Sequence, residues 1–455
     1  PEALSNGICS LNEGVDRLTM ACEMLVDGSN GHVKTYCIFP SIIRSHHRMT
    51  YTAIRQMLVD KDAAVREKYQ DILPMVQDME KLCKVLKKKR LDRGAIDFDL
   101  PEQKVLLDEE KKPIAIIPRE RTIAESIIEE FMLAANETVA SHMSKAKWPF
   151  IYRVHAFPDL SKMESLSRLL ATFGVVLRAQ ENMEPMVLQK ALEEMNDKPE
   201  EKLISTVALR SLKQAVYQTD NVGHFGLAAE FYTHFTSPIR RYPDLMVHRL
   251  LRKWLEKPVL GIGEAEDMEL HLENIAVHSS VRERAAAEAE RATVELKEAE
   301  YMAGFVGQEF SGTISGVTPF GIFVTLENGV DGLVHISSLT DDYYDYEEDK
   351  YALVGFHLHK TYRLGDEIKV EVLQVNIPEH QVDLVLAGEN PETKQYLKIQ
   401  LQEKNSVLGA KTKSHGAYFS SLKSHAGKDG KQHRGKDGKK NKRVKGRKKR
   451  ERAKH

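Results

Sequence analysis

YTHFTSPIRRYPDLMVHRLL, Tyr232–Leu251, changes character in its middle. Pro238 restricts Ser237 to an extended conformation. Pro243 suits the first turn of a helix, where its missing N–H costs nothing. Met246, Leu250 and Trp254 then fall at i, i+4 and i+8, the spacing of a buried helical face. Arg240 and Arg241 therefore sit in the loop that enters a helix. A helix N-terminus attracts anions, and a guanidinium beside it adds bidentate phosphate binding. A loop arginine paired with a neighbouring carboxylate such as Asp244 fits the same residues. Tyr232 and Phe235 are expected to buttress the loop rather than to touch a substrate.

The chain around this stretch has 455 residues, enough for two or three cores. Hydrophobic residues make up 42% and charged residues 29%, so most of the chain should fold. No apolar run approaches the length that a membrane span needs, and we expect no membrane partner. The opening, PEALSNGICS, lacks a basic region followed by an apolar one, so it does not read as a signal peptide; it also lacks a Met, so we expect a fragment or a processed product. Cys9, Cys22, Cys37 and Cys83 show no metal-type spacing. Scattered cysteines of this kind suggest a reducing compartment, and a cytoplasmic location is expected.

A net charge of −1 hides an asymmetry: from Lys411 onward there are 18 Lys/Arg and three acids, which leaves the preceding residues at a net of −16. The basic end, GKDGKQHRGKDGKKNKRVKGRKKRERAKH, has no large apolar residues to bury and is expected to be disordered. It offers a nucleic-acid-binding arm, a solubilising tail or a ribosome contact.

Three segments follow: residues 1–303, 304–388 and 389–455. The first alternates helical and extended signals, with strands expected around Ile38–Pro40 and Ile114–Ile117. Thr122 and Glu125 form a capping box, after which Ile128, Met132, Ala135 and Val139 recur at helical spacing. Residues 264–302 are rich in Ala and Glu and read as a long helix bridging domains. The second segment alternates apolar and polar positions with period two and is punctuated by Gly312, Gly316, Gly321, Gly329 and Gly332, the pattern of a small antiparallel barrel. LGDEIKVEVLQVN and QVDLVLA supply its last strands, after an acidic, Tyr-rich loop at Asp341–Tyr351. In GVTPFGIFV and GLVHIS, Phe320, Phe323 and His335 would share one exposed face suited to base stacking, or Phe320 and Phe323 would be core residues.

YTHFTSPIRRYPDLMVHRLL resembles the signature of the ribonuclease II/ribonuclease R family, the RNB exoribonucleases. PEALSNGICSLNEGVDRLTMACEM and IEEFMLAANETVA resemble further parts of that family's catalytic domain, in order. The barrel is similar to the S-one-type OB-fold that follows it, and the basic tail is similar to ribonuclease R. The resemblance implies an α+β fold: the C-terminal part of an RNB catalytic domain, a five-stranded OB-fold barrel and a disordered basic tail. It implies stepwise 3′-to-5′ hydrolysis of single-stranded RNA, or RNA with a 3′ overhang, to nucleoside 5′-monophosphates with two Mg²⁺ ions. By the same match Arg240 would be the cation on the scissile phosphate. Glu130 would contact the ribose of the 3′-terminal nucleotide, with Glu129 as the alternative register. Tyr51 in MTYTAI and Phe98 in AIDFDL resemble aromatics that stack on bases, and core packing is the other reading of each.

One departure stands out. The family's metal ligands form an aspartate cluster, D-x5-D-x-D-D, expected upstream of PEALSNG, and no such cluster occurs here. Asp92, Asp97 and Asp99 have the wrong spacing, so no residue of this chain is expected to bind the metal. Gln381 also stands where a basic residue is expected before the last strand of the barrel. The competing readings are a non-catalytic RNA-binding protein and a ribosome-associated scaffold.

Overall fold

The computed structural model describes residues 1–98, 102–119, 121–198, 200–347, 351–399 and 401. Asp99 and the basic tail lie outside them. One compact unit runs from Pro1 to Glu389; after it, residues 391–399 are helical.

The first unit opens with a long antiparallel hairpin of β1 (Asp16–Val26) and β2 (Val33–Arg44), which contains the expected Ile38–Pro40 strand. Three helices follow: α1 (Tyr51–Leu58), α2 (Ala63–Lys68) and α3 (Leu73–Asp92). A second hairpin, β3 (Glu102–Leu107) and β4 (Pro113–Arg119), leads to α4 (Ile123–Lys145). The capping box forms as its sequence dictates: Thr122 caps the helix and the Glu125 carboxylate accepts from the Thr122 N–H at 3.0 Å. Of the helical face expected along α4, Val139 is fully buried but Ile128 is exposed. The buried stripe instead runs through Ala124, Ile127, Ala140 and Met143, because α1 and α3 pack on α4 and draw a different side of it inward.

Between β5 (Tyr152–Val154) and its partner β6 (Val216–Gln218) lie α5 (Leu160–Thr172), α6 (Pro185–Glu193) and α7 (Glu201–Ser211). Then come α8 (Tyr242–Glu256) and the 41-residue α9 (Ile262–Met302), about 60 Å long at 1.5 Å per residue. It packs against β6 and α8 at one end and reaches the barrel strands at the other.

The barrel is β7 (Glu309–Thr318), β8 (Gly321–Leu326), β9 (Asp331–His335), β13 (Glu367–Asn376) and β14 (Gln381–Leu386), closed in the order β13-β14-β9-β8-β7. Its closure is not purely antiparallel, because β14 and β9 run parallel. Ile314, Ile322, Val324, Val334, Val370, Val372 and Leu384 fill its interior. The stretch expected as an acidic loop instead enters a three-stranded sheet of β10 (Tyr344–Glu347), β11 (Ala352–Gly355) and β12 (Thr361–Arg363). Its alternating tyrosines account for this: Tyr344 and Tyr362 are buried against each other with ring centroids 5.4 Å apart.

Two hydrophobic cores organise the unit. One joins α5, α6 and α7 to the barrel. The other gathers Val139, Phe150, Tyr217, Phe235, Val247, Leu251, Leu272 and Ala276, and carries the loop before α8 on its edge.

Candidate catalytic loop and RNA-binding face

The loop from Tyr232 to Arg241 is fastened at two places. Tyr232 and Phe235 are buried, as buttressing requires. The carboxamide of Asn136, itself buried on α4, serves both: its Nδ2 donates to the Tyr232 hydroxyl at 3.2 Å and its Oδ1 accepts from the Phe235 N–H at 3.0 Å. His248 on α8 stacks on the Phe235 ring at 4.6 Å, and its Nε2 donates to the Phe235 carbonyl at 2.8 Å. Further along, Asp244 in the first turn of α8 is fully buried. It accepts from the Ser237 N–H at 2.8 Å and from Arg241 through Nε and a terminal nitrogen, each at 2.8 Å.

The carboxylate pairing open in the sequence is thus taken by Arg241. Arg240 is exposed on the turn, and its side chain makes no hydrogen bond or ion pair among the described residues. Earlier in the same loop, Tyr232 and His234 pack edge to face with each other and, respectively, with His224 and Tyr217. The Tyr217 hydroxyl and His234 Nδ1 are 2.7 Å apart, and Arg153 lies 4.6 Å over the Tyr217 ring while bonding Glu283 at 2.5 Å. Burial, with Arg241 and Arg153 nearby, pushes the His234 imidazole down to about 2. Burial, with His155 and Arg153 nearby, takes His224 down to about 3. These imidazoles are neutral near pH 7, so the positive charge here belongs to arginines. Two of those arginines are neutralised by carboxylates, which leaves Arg240 to meet an incoming anion.

Glu130 is buried on α4, where its Oε1 accepts from Arg90 Nε at 3.0 Å and from a terminal nitrogen at 2.8 Å. Its Oε2 makes no hydrogen bond among the described residues. Glu129 is half exposed and pairs with Arg121. Tyr51 stands half exposed in the first turn of α1. Phe98 lies in no strand and packs against the larger core, because the chain is already leaving α3 through Gly94, whose positive φ ends the helix. Through Asn136, α4 links Glu130 to the Arg240 loop; among the described residues no hydrogen bond or ring contact joins Tyr51 or Phe98 to that loop.

Phe320, Phe323 and His335 come together on the outside of the barrel. The first two rings are 6.0 Å apart, edge to face. Gly321 pairs with His335 across β8 and β9, which puts His335 beside them. A Cβ at Gly321, whose φ is +154°, would collide with the Val334 carbonyl, so only glycine fits at this entry to β8, next to Phe320. Ile322 and Val324 point into the barrel while Phe323 points out.

Among the described residues no group of three or more His, Cys, Asp or Glu is arranged to hold a metal ion. Asp97 instead pairs with Lys87 at 3.3 Å, Arg90 at 3.5 Å and Arg121 at 3.8 Å. A carboxylate surrounded by three cations is a poor metal ligand, and the described residues do not fit a two-magnesium centre.

Residues 1–257 match the RNB domain, and residues 304–384 match the S1 RNA binding domain. The chain belongs to the RNB family. Arg240, Arg241, Asp244, Asn136 and Glu130 all lie within the RNB match, and the barrel's aromatic face lies within the S1 match. Ribonuclease R 1 of Lactococcus lactis is 46% identical over 386 residues, which is 84% of this chain and 47% of that protein. Ribonuclease R of Aquifex aeolicus is 44% identical over 390 residues, 85% of this chain and 54% of that protein. The chain therefore spans about half the length of these curated relatives. Among solved structures, Mycoplasma genitalium RNase R in complex with ribose-methylated single-stranded RNA superposes with a TM-score of 0.77 at 31% identity, covering 85% of this chain and 60% of that one. Within this RNB chain, sequence reasoning missed Asn136, His234 and His248. An Asn in mid-helix was the available signal, since its side chain competes with helical bonding unless it has a partner elsewhere.

Proposed function

We propose that this protein acts as a 3′-to-5′ exoribonuclease that hydrolyses RNA to nucleoside 5′-monophosphates. Its substrates would be single strands or duplexes with a 3′ overhang. Residues 1–303 would form the catalytic part, 304–388 an RNA-holding barrel and 389–455 a linker and basic arm. The observation that carries this reading is the division of labour between two adjacent arginines. Asp244 holds Arg241, so Arg240 is left as the available guanidinium at the N-terminus of α8.

A guanidinium there can donate two parallel N–H bonds to non-bridging phosphate oxygens. Its charge gains value as negative charge grows on those oxygens during attack, and a fixed cation needs no reorganisation at that moment. The helix N-terminus adds to the same potential. Glu130, steadied by Arg90 through Oε1, would accept a ribose hydroxyl of the 3′-terminal nucleotide through Oε2. Tyr51 and Phe98 would stack on bases along the path, and Phe320, Phe323 and His335 would hold the strand on the barrel by stacking that any base can provide. The Mg²⁺ ions of such a hydrolysis would take their ligands from outside the described residues. The basic arm would add salt-sensitive affinity for RNA, or for ribosomes through their RNA.

The test uses the complete encoded polypeptide with Mg²⁺ and a 3′-tailed RNA, labelled at its 3′-terminal nucleotide in one arm and at its 5′ end in the other. The 3′ label should appear at once as nucleoside 5′-monophosphate while the 5′-labelled strand shortens stepwise. Internal fragments would overturn the exonuclease reading. Tight binding with no release at all would favour the non-catalytic RNA-binding reading.

A further inference from the structure

Two adjacent arginines open α8, and nothing in their residue type says which should meet a phosphate. Asp244 separates them. Its carboxylate is fully buried, yet three donors reach it at 2.8 Å: the Ser237 N–H and two nitrogens of the Arg241 fork. Ser237 is held on its other side as well, because its carbonyl accepts from the N–H of Arg240 at 3.3 Å and of Arg241 at 3.1 Å. The turn is therefore closed on both faces of one residue, and the carboxylate that closes it also removes one guanidinium from competition.

We propose that Asp244 is a positioning residue that selects Arg240, rather than Arg241, as the cation for the phosphodiester and fixes the turn that aims it. The assignment rests on the exoribonuclease reading above. Its physical content is a statement about geometry and charge count. With Asp244 neutralised, Arg241 loses its bidentate partner and swings free. The loop then carries two mobile cations, so attraction for RNA is kept or strengthened while the aim of Arg240 is lost. A residue that only supports the fold would lower stability, affinity and turnover together.

The experiment is a double-mutant cycle in the complete encoded polypeptide. Turnover is read in single-turnover assays and RNA affinity by fluorescence anisotropy. Asp244→Asn keeps the side-chain shape and an acceptor for the Ser237 N–H, and removes the charge. It should lower turnover about 100-fold, the scale of a catalytic group displaced by about an ångström, with affinity unchanged or tighter. In the Arg240→Ala background the same substitution should cost no more than about twofold, since it acts through a side chain already removed. Full additivity of the two losses overturns the selection role, as does weakened affinity with turnover intact. Should Asp244→Asn lose cooperative unfolding, Arg241→Lys takes its place in the cycle: the charge stays, the fork is lost, and the same non-additivity with Arg240→Ala is expected. If Arg240→Ala by itself keeps full turnover, the reading of Arg240 fails. If Arg240→Ala loses turnover and Asp244→Asn adds its whole loss on top, only the selection role fails.

Discussion

The Arg240 loop and the outer face of the barrel are both read as surfaces for one polynucleotide, but they are held in opposite ways. The loop is irregular backbone pinned by polar side chains from two helices, the buried Asn136 on α4 and, on α8, the buried Asp244 and the half-buried His248. The barrel face needs none of these. Phe323 stands on a strand whose alternation with Ile322 and Val324 is set by the backbone ladder, and Phe320 stands at that strand's entry. A reacting phosphate must be met to within a fraction of an ångström, whereas a base can slide on an aromatic ring with little loss. Buried polar anchoring is expensive to break, and it appears where position matters most.

Removing the reacting contact should separate the two regions furthest. Arg240→Ala is expected to lower turnover 10²–10³-fold, about 3–4 kcal/mol of transition-state stabilisation, with modest change in RNA affinity. Kinetics at saturating and subsaturating RNA check the split; a loss confined to affinity would assign Arg240 to binding. The second contrast is pH. His234 and His224 are held at about 2 and about 3 against an ordinary value of 6.5. Their folded values are depressed, so unfolding takes up protons below pH 6.5. The stability of this region is fully present above 6.5 and is lost as pH falls through that value. At pH 5 each such imidazole costs about 2 kcal/mol. His234→Gln should therefore make the decline in stability between pH 7.5 and pH 5 shallower by about that amount. Denaturant titrations at both pH values decide it, and an unchanged decline would show that His234 is not kept neutral by the fold.

Much of this division was legible in the residues. Period-two alternation with glycine punctuation gave the barrel, since a strand's side chains must alternate whatever else the chain does. Pro243 and the Met246–Leu250–Trp254 spacing gave α8 and its entry loop. The sheet at Tyr344–Arg363 was missed because acidic residues masked the tyrosines that pack it. Ile128 was misplaced because periodicity finds an apolar stripe but not which neighbours will cover it. The pairing of Asp244 is not legible in the sequence, because an Arg-Arg step offers two equivalent partners to one carboxylate. Only the turn geometry around Ser237 chooses between them. Asn136 and His248 act across 99 and 13 residues of sequence, separations at which no local pattern reports a contact.

Asn136 tests how much the loop's anchoring contributes. Asn136→Ala leaves the Phe235 N–H and the Tyr232 hydroxyl buried without these bonds, a cost of about 1–3 kcal/mol in stability. Turnover should fall with it while RNA affinity, assigned by the proposal to the barrel, stays close to wild type. Denaturant melts and anisotropy titrations check both, and a fall in affinity matching the fall in turnover would mean that the loop and the barrel are not separable.

The smallest effect belongs to the barrel. Phe320 is about half exposed and contributes little to the core, so Phe320→Ala should leave the melting temperature unchanged. One stacked base is worth about 1–3 kcal/mol by alanine substitution, and an exposed ring belongs at the low end, so RNA affinity should weaken about fivefold. Turnover at saturating RNA should not move. Phe323→Ala makes the useful comparison, because the Phe323 ring lies against Gly316 in the neighbouring strand, close enough that a Cβ there would stand 3.3 Å from it. That substitution removes a packing contact as well as a stacking surface, so it should cost stability and affinity together. If Phe320→Ala leaves affinity untouched and only Phe323→Ala weakens it, in step with stability, then the two rings are a hydrophobic cover for the strands beneath and not a platform for bases. The contrast between a precisely aimed loop and a tolerant face would then lose its second member, and RNA would have to be held elsewhere on the chain.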